Sequence, residues 1–259
     1  MNIFKRLYRY KDLLLVFVWR EFAVRYRQSV LGVLWTVVQP LSMMALFLFI
    51  FSFVMRQKVS DYPAWQFFFG GILPWQFFSA SLNYSVPTLE GNYQLITKIY
   101  FPREILPLSG ILVAFLDYLV ASAFFAVLLL FFGVRLTWNV LWFLPLLVLL
   151  FVFTVSISLL LSGLNVYYRD VRLATGFIIQ LWFFASPVMY SIDSLDIKIK
   201  VFLFINPLTF IIENMRRCVF EGRGVVPWQF ALVSLIIILF YSVSYRTFTK
   251  IERAFADVI

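Results

Sequence analysis

Histidine is absent from this 259-residue sequence, and cysteine occurs once, at Cys218. A single cysteine excludes a disulfide within the chain and a cysteine-based metal cluster. The absence of histidine removes the commonest metal ligand and the usual general base. Charged residues are also scarce, at 14% of the chain, whereas soluble domains average about 25%. These deficits argue against most hydrolytic enzymes and against a water-soluble fold.

The sequence also lacks the Gly-x-x-x-x-Gly-Lys-Ser/Thr loop that cradles nucleotide phosphates, because none of its ten glycines is followed by lysine. The chain therefore cannot hydrolyse ATP by that route. If ATP drives its activity, the nucleotide and its magnesium ion must bind a separate subunit, and this chain itself is predicted to carry no cofactor and no metal.

Hydrophobic residues, by contrast, make up 63% of the chain and aromatic residues 20%. A membrane span needs about 20 apolar residues, so the chain is long enough for about six spans with their connections. The sequence predicts an all-α integral membrane protein that forms a single membrane domain over 1–259. The six predicted transmembrane helices cover about 33–55, 65–86, 106–132, 140–164, 173–190 and 228–245.

Two further segments are predicted to lie at the membrane surface. Residues 12–30, with Asp12 as the N-cap, mix apolar and basic positions and predict an N-terminal amphipathic interface helix. This segment is too short in apolar residues for a span, and it has no small-residue cleavage pattern of a signal peptide. Residues 191–227 are too polar to cross, and two short apolar runs separated by Pro207 predict short interfacial helices at the outer face.

The distribution of basic residues predicts the orientation of the chain. The net charge of +9 arises beside apolar runs, which suits the positive-inside rule and anionic lipid headgroups better than nucleic acid. An even number of spans places both termini on one side. With that side cytoplasmic, 14 of the 22 Lys and Arg residues lie inside. The cluster within residues 1–30 decides the prediction that both termini are cytoplasmic.

The second apolar run, 65–86, differs from a lipid-facing helix because it contains glycine, proline, amide and serine residues. Such groups are tolerated at membrane depth where they face protein or a watery cavity, so this run is the first candidate to line a conduit. Tryptophans accompany glutamines in and near the first two spans, at Trp35, Gln39, Trp65, Gln66, Trp75 and Gln76. Flat rings beside amide groups suit sugars, although aromatic residues in spans can also simply fill lipid-facing surface.

Asp117 is the one acidic residue within the strongly apolar part of a predicted span. A carboxylate at membrane depth is costly and is therefore a functional candidate. The alternative is a structural role, in which Asp117 bonds a neighbouring hydroxyl or tyrosine or is protonated at a protein interface. A single acid without an evident partner favours the structural role and argues against a proton relay.

Two sets of residues near the predicted cytoplasmic span ends are candidates for binding. Because the arginine fork suits phosphate oxygens, a lipid diphosphate would find cations there, each of which also serves the positive-inside bias. These cations are Arg25, Arg27, Lys98, Arg103 and Arg169. A separate ATPase would bind the N-terminal amphipathic segment, the loop 90–104 or the charged and aromatic segment 167–172. The candidate coupling residues are Arg20, Glu21, Glu90, Asn92, Tyr93, Glu104 and Asp170.

Six segments follow one another along nearly the whole chain in a recognisable order. They are LGVLWTVVQPL at 31–41, GILPWQFF at 71–78, KIYFPREILP at 98–107, LNVYYRDV at 164–171, SPVMY at 186–190 and NPL at 206–208. Each fragment alone is weakly specific, but the ordered set is strongly specific. Together they resemble the permease subunits of bacterial ABC exporters for O-antigen, capsular polysaccharide and teichoic acid.

The resemblance implies a homodimer of six-span subunits in the bacterial cytoplasmic (inner) membrane, paired with two ATP-binding cassette subunits that carry ATP and magnesium. It implies that the chain is a transporter subunit rather than an enzyme and that it exports a lipid-linked polysaccharide. It also implies that the first cytoplasmic loop contacts the ATPase and that aromatic residues of the first two spans line the channel. The channel candidates are Trp35, Gln39, Trp65, Trp75, Gln76, Phe77 and Phe78.

Two other functions remain open. A permease of similar architecture that exports a drug or another lipid would share these features. A membrane glycosyltransferase or lipid phosphatase would need clustered carboxylates or basic catalytic groups at the membrane edge. The edge carboxylates Glu104 and Asp170 each adjoin an arginine and are more simply interpreted as members of local ion pairs.

Overall fold

The computed structural model describes residues 8–193, 195–252 and 255, and within them every regular element is helical. The helices are α1 (Lys11–Tyr26), α2 (Trp35–Leu48), α3 (Ala64–Ser85), α4 (Thr88–Gly91), α5 (Tyr93–Lys98), α6 (Ile105–Phe131), α7 (Phe143–Tyr167), α8 (Asp170–Phe184), α9 (Ile197–Phe204), α10 (Pro207–Arg216) and α11 (Pro227–Glu252). The predicted all-α class is confirmed. Three basic residues that contributed to the predicted orientation, Lys5, Arg6 and Arg253, lie outside the described residues.

Within the described residues, four helical segments are long and apolar enough to cross a bilayer. They are Gly32–Val54, Ile105–Phe131, Trp138–Tyr167 and Pro227–Glu252, which coincide with the first, third, fourth and sixth predicted spans. α3 has 22 residues but carries many polar groups, and α8 has 15 residues. A 15-residue helix is only about 22 Å long, whereas the hydrocarbon core is about 30 Å thick. Crossings by α3 and α8 therefore stay predictions.

α3 lies at the centre of the bundle, where it packs against α2, α6 and α7. Its Phe69 ring lies 4.6 Å from the Phe125 ring of α6, centroid to centroid. α6 approaches α3 closely because residue 110 is glycine, and a Cβ there would come within 3.0 Å of the Tyr84 carbonyl carbon. The polar groups of α3 thus lie mostly inside protein, where the membrane tolerates them.

α1 begins at Lys11, so the prediction of Asp12 as its N-cap was wrong. Tyr10 occupies the N-cap position, and no side chain caps the helix. Asp12 lies in the first turn instead, where its negative charge is favourable near the positive end of the helix dipole. The helix ends at Tyr26 rather than at residue 30, because the chain turns through 27–31 to enter α2.

The segment 191–227 contains two short helices, α9 and α10, as its apolar runs predicted; their position at a membrane interface stays a prediction. Pro207 occupies the first turn of α10, where a missing N–H costs nothing. The Asn206 side chain caps α10, because its Oδ1 accepts a hydrogen bond from the Leu208 backbone nitrogen at 3.1 Å. Its Nδ2 donates to Ser186 Oγ at 2.9 Å, which ties α10 to the turn after α8.

Replacing Asn206 with alanine is expected to lower the free energy of unfolding by about 1 kcal/mol through loss of the cap, with a further loss from the Ser186 contact. Thermal unfolding of the purified protein in detergent measures the change. Asn206→Asp keeps the capping acceptor and removes only the amide donor, so we expect a smaller loss. Equal unfolding midpoints for wild type and Asn206→Ala would contradict the capping role.

Candidate functional site

A groove between α2 and α3, here named the α2–α3 groove, contains two adjoining cavities of about 350 and 490 Å³. Trp35, Gln39 and Gln76 line both cavities and therefore stand at their junction. Gln76 Nε2 donates to Gln39 Oε1 at 3.3 Å, and the Trp35 residue is 43% exposed. The structure thus brings together indole and amide groups that the sequence separates by about forty positions.

The smaller cavity is also lined by a polar cluster of Arg25, Tyr26, Tyr84 and Asp117. Arg25 Nη1 lies 3.2 Å from Asp117 Oδ2, and the Tyr26 hydroxyl donates to Asp117 Oδ1 at 2.8 Å. The Arg25 guanidinium lies 3.2 Å from the centroid of the Tyr84 ring. Burial and the hydrogen bond to Asp117 raise the pKa of Tyr26, so its hydroxyl stays protonated as a donor. Asp117 has the tyrosine partner that a structural role requires, together with an arginine partner that sequence reasoning did not identify.

The other channel candidates occupy different surroundings. Trp75 lines the larger cavity but is only 8% exposed, because its ring packs 5.4 Å from that of Phe183. Phe77 lines the smaller cavity. Phe78 is fully buried against aromatic rings of α7 and α8. Trp65 packs against the rings of Phe125, within α6, and Phe132, just beyond it. Neither Trp65 nor Phe78 lines either cavity of the groove.

The candidate coupling residues converge at one end of the bundle, here named the α1 end. It comprises the described parts of 8–31, 86–105, 165–170 and 246–255. Arg20 Nη2 donates to Asn92 Oδ1 at 2.7 Å, which joins α1 to the connection between α4 and α5. Asn165 Nδ2 donates to Glu90 Oε2 at 3.3 Å, which joins α7 to α4. The three segments that sequence reasoning selected for an ATPase contact therefore share one end of the molecule.

These coupling candidates differ in what they present to solvent. Arg20 pairs with Glu21 at 2.8 Å, and Glu104 is completely buried. Tyr93 and Asp170 are exposed. Residues that bond within the chain at the α1 end fix the position of α1 and the loop, whereas the exposed ones are the groups that a docked subunit can reach.

The five candidate phosphate ligands also lie at or near the α1 end. Arg27, Lys98 and Arg169 are exposed there. Arg25 is paired with Asp117, as described above. The Arg103 backbone nitrogen donates to Glu252 Oε1 at 3.1 Å, and its guanidinium donates to the carbonyl oxygen of the same residue. Three of the five are thus exposed, and two are engaged within the chain.

Arg216 lies in the segment 191–227, which was predicted only to form short helices at the outer face, and sequence reasoning missed its importance. The structure buries it to 1% exposure at the end of the bundle opposite to α1. Its guanidinium donates to the carbonyls of Phe67, Pro187 and Val188, which ties α10 to the start of α3 and to the turn after α8. A Cβ at Gly71 would collide with this guanidinium. The adjacent glycines at 70 and 71 were the available signal, since glycine within a helix marks a close approach.

Comparison with known proteins identifies the family. Residues 12–220 match the ABC-2 type transporter family. The chain is 30% identical over 263 residues, covering all of both chains, to the O-antigen export system permease protein RfbA of Myxococcus xanthus. It is also 30% identical to RfbA of Klebsiella pneumoniae over 96% of this chain and 95% of the relative. It is 25% identical to the polysialic acid transport protein KpsM of Escherichia coli over 88% of this chain and 90% of the relative. The chain therefore belongs to the ABC-2 type transporter family.

Proposed function

We propose that this chain is the permease subunit of an ATP-driven exporter that moves a lipid-linked polysaccharide of the O-antigen or capsule type across the bacterial cytoplasmic membrane. Membership of the ABC-2 family supports the transporter class. Similarity to proteins named for O-antigen export and polysialic acid transport, over 88% or more of this chain, supports the substrate class.

The observation that carries the substrate class is the α2–α3 groove, where an exposed indole adjoins two amide side chains. An indole face stacks on the C–H face of a sugar ring, and amides both donate to and accept from hydroxyls. Trp35, Gln39 and Gln76 are all uncharged, and a conduit requires binding that is weak enough for each sugar unit to leave. The acid at membrane depth, Asp117, is already occupied by two donors, which suits an ATP-driven machine better than an ion-coupled one.

The proposed assembly is a homodimer of six-span subunits with two ATP-binding subunits. α3 and α8 complete the six crossings in this arrangement, with α3 shielded from lipid by its neighbours. The open side of the α2–α3 groove exposes the apolar residues Trp35, Met43 and Leu46. A second copy of the chain would cover these side chains and close the groove into a channel.

The α1 end is proposed to face the cytoplasm, which places both termini there. A separate subunit would hydrolyse ATP and dock on the exposed residues of this end, such as Tyr93 and Asp170. The exposed cations Arg27, Lys98 and Arg169 would attract the diphosphate of the lipid-linked substrate, because long-range attraction to an anion needs charge that is not already neutralised.

Reconstitution tests the proposal. The purified chain alone should hydrolyse no ATP. Proteoliposomes that contain the chain and its cognate ATP-binding subunit should move lipid-linked polysaccharide across the bilayer only with ATP and magnesium, and an ATPase-dead partner subunit is the control. Turnover of lipid-linked sugar without any ATPase would instead establish a glycosyltransferase. ATP-driven movement of lipids without glycan, and none of the glycan-bearing lipid, would indicate a permease for simpler lipids or drugs.

A further inference from the structure

Within the described residues, polar side chains attach α1 to the rest of the chain at two positions five residues apart, in addition to the packing of Phe17 against Phe101. Arg20 donates to Asn92 in the connection between α4 and α5, at 2.7 Å. Arg25 and its neighbour Tyr26 hold Asp117 of α6, at 3.2 and 2.8 Å. Five residues advance about 7.5 Å along a helix and about 140° around it, so the two attachments leave α1 in different directions. α1 therefore links the connection between α4 and α5 to the wall of the smaller cavity.

Apolar packing alone would not fix the position of α1. Leu15, Val16 and Trp19 are exposed on α1, and hydrophobic contact is non-directional. The side chains of Arg25 and Asp117 are only 26% and 14% exposed. Separating them would leave an uncompensated charge at membrane depth, which is costly. The ion pair therefore adds a directional restraint on the rotation and the axial position of α1 to the packing of the buried Phe17 and Val18.

The Arg25–Tyr26–Asp117 cluster lines the smaller cavity, which the indole and amide groups proposed to contact sugar line as well. Arg25, Tyr26 and Asp117 line one side of the smaller cavity, and Gln39 and Gln76 line it as well. A shift of the C-terminal turn of α1 would carry Arg25 and Tyr26 with it and change the width of this cavity. Force applied at the α1 end thus has a direct mechanical path, through side chains, to the groove.

We propose that Asp117 is a positioning residue for transport, which through Arg25 and Tyr26 couples movement of α1 to the width of the smaller cavity of the α2–α3 groove. The role rests on the proposed function, because an ATP-driven partner must supply the movement. In this role Asp117 acts as the acceptor that holds Arg25 and Tyr26, since each of its carboxylate oxygens accepts a hydrogen bond from one of them.

The test compares ATP hydrolysis with polysaccharide export in proteoliposomes of the complete transporter. Asp117→Asn keeps the size and one acceptor for Tyr26 but removes the charge. Hydrolysis should continue, while polysaccharide exported per ATP falls about tenfold, because a mostly buried charge has lost its partner. The charge-swapped double variant, Arg25→Asp with Asp117→Arg, restores the ion pair. It should therefore export at least about threefold more polysaccharide per ATP than Asp117→Asn does. A merely structural role would lower hydrolysis and export together, so that the polysaccharide exported per ATP would stay unchanged.

Asp61→Asn is the matched control, because it breaks the exposed Lys58–Asp61 pair at the opposite end and should change nothing. Export per ATP that is unchanged in Asp117→Asn overturns the inference. If Asp117→Asn does not accumulate in the membrane, Tyr26→Phe replaces it, because that substitution removes only the hydroxyl donor. A drop of about two- to fourfold in polysaccharide exported per ATP supports the inference. No drop overturns it. If vesicles with the wild-type transporter hydrolyse ATP but move no polysaccharide, the proposed function itself is contradicted. This result does not depend on either variant.

Discussion

Replacement of Arg216 with methionine is expected to remove most of the folded permease from the membrane. The guanidinium donates to the carbonyl oxygens of Phe67 at 3.1 Å and Val188 at 2.7 Å, and also to that of Pro187. Pro187 and Val188 lie in the turn after α8, where no helical hydrogen-bond ladder is present to satisfy their carbonyls. Each buried polar group left unpaired costs about 1–3 kcal/mol. A loss of about 3 kcal/mol or more is therefore expected, a large share of the roughly 5–15 kcal/mol that stabilises a typical folded protein.

The same defect is expected from the other side of the contact. Gly71→Ala would place a methyl group against the guanidinium and 3.1 Å from the Val188 carbonyl oxygen, so the buried network must shift. Gly176→Ala is the matched control, because an added Cβ there meets nothing within 4 Å. Arg217→Met is the control for the arginine, since Arg217 is a half-exposed neighbour. Immunoblots of membranes and unfolding midpoints in detergent measure the effects. Normal accumulation of both Arg216→Met and Gly71→Ala would show that this network is dispensable.

Replacement of Ala80 with tryptophan is expected to reduce export strongly while leaving the protein in the membrane. Ala80 lies on α3 one turn from both Gln76 and Tyr84, and all three line the smaller cavity. An indole introduced there would occupy space in a cavity of about 350 Å³. Overpacking of a core typically costs about 1–3 kcal/mol of stability. The cost should be smaller here, because the cavity has room for the ring. Because the cavity is the proposed path of the sugar chain, export should fall at least about tenfold even so.

Ala231→Trp is the matched control for this substitution, because Ala231 is exposed on α11 and lines neither cavity of the groove. It should insert, hydrolyse ATP with the partner subunit and export normally. Ala80→Ser adds a small polar atom and should also export. The measurement is polysaccharide transported into or out of vesicles, with ATP hydrolysis recorded in the same sample. Normal export by Ala80→Trp, with wild-type amounts of protein, would exclude the smaller cavity from the conduit.

Element positions could be predicted from the sequence because the forces that set them are local. The third span was expected at 106–132 and is the helix Ile105–Phe131, and the second apolar run, expected at 65–86, is the helix Ala64–Ser85. A bilayer requires a run of apolar residues of fixed length, and such a run is visible without any partner. Helix ends were predicted less well, as Asp12 shows, because a cap depends on the conformation of a single residue.

The sequence by itself therefore determined the fold class, the positions of the apolar helices, the lack of a nucleotide-binding loop and, through ordered motifs, the family. Only the tertiary structure decided which side chains meet. Arg25 reaches Asp117 across 92 positions and Arg216 reaches Phe67 across 149. The same is true of which aromatic residues line the groove: Trp35 does, whereas Trp65 and Phe78 pack elsewhere. Hydropathy is a property of a segment, but a contact depends on the rotation and depth of two helices packed against each other, and no single segment encodes those.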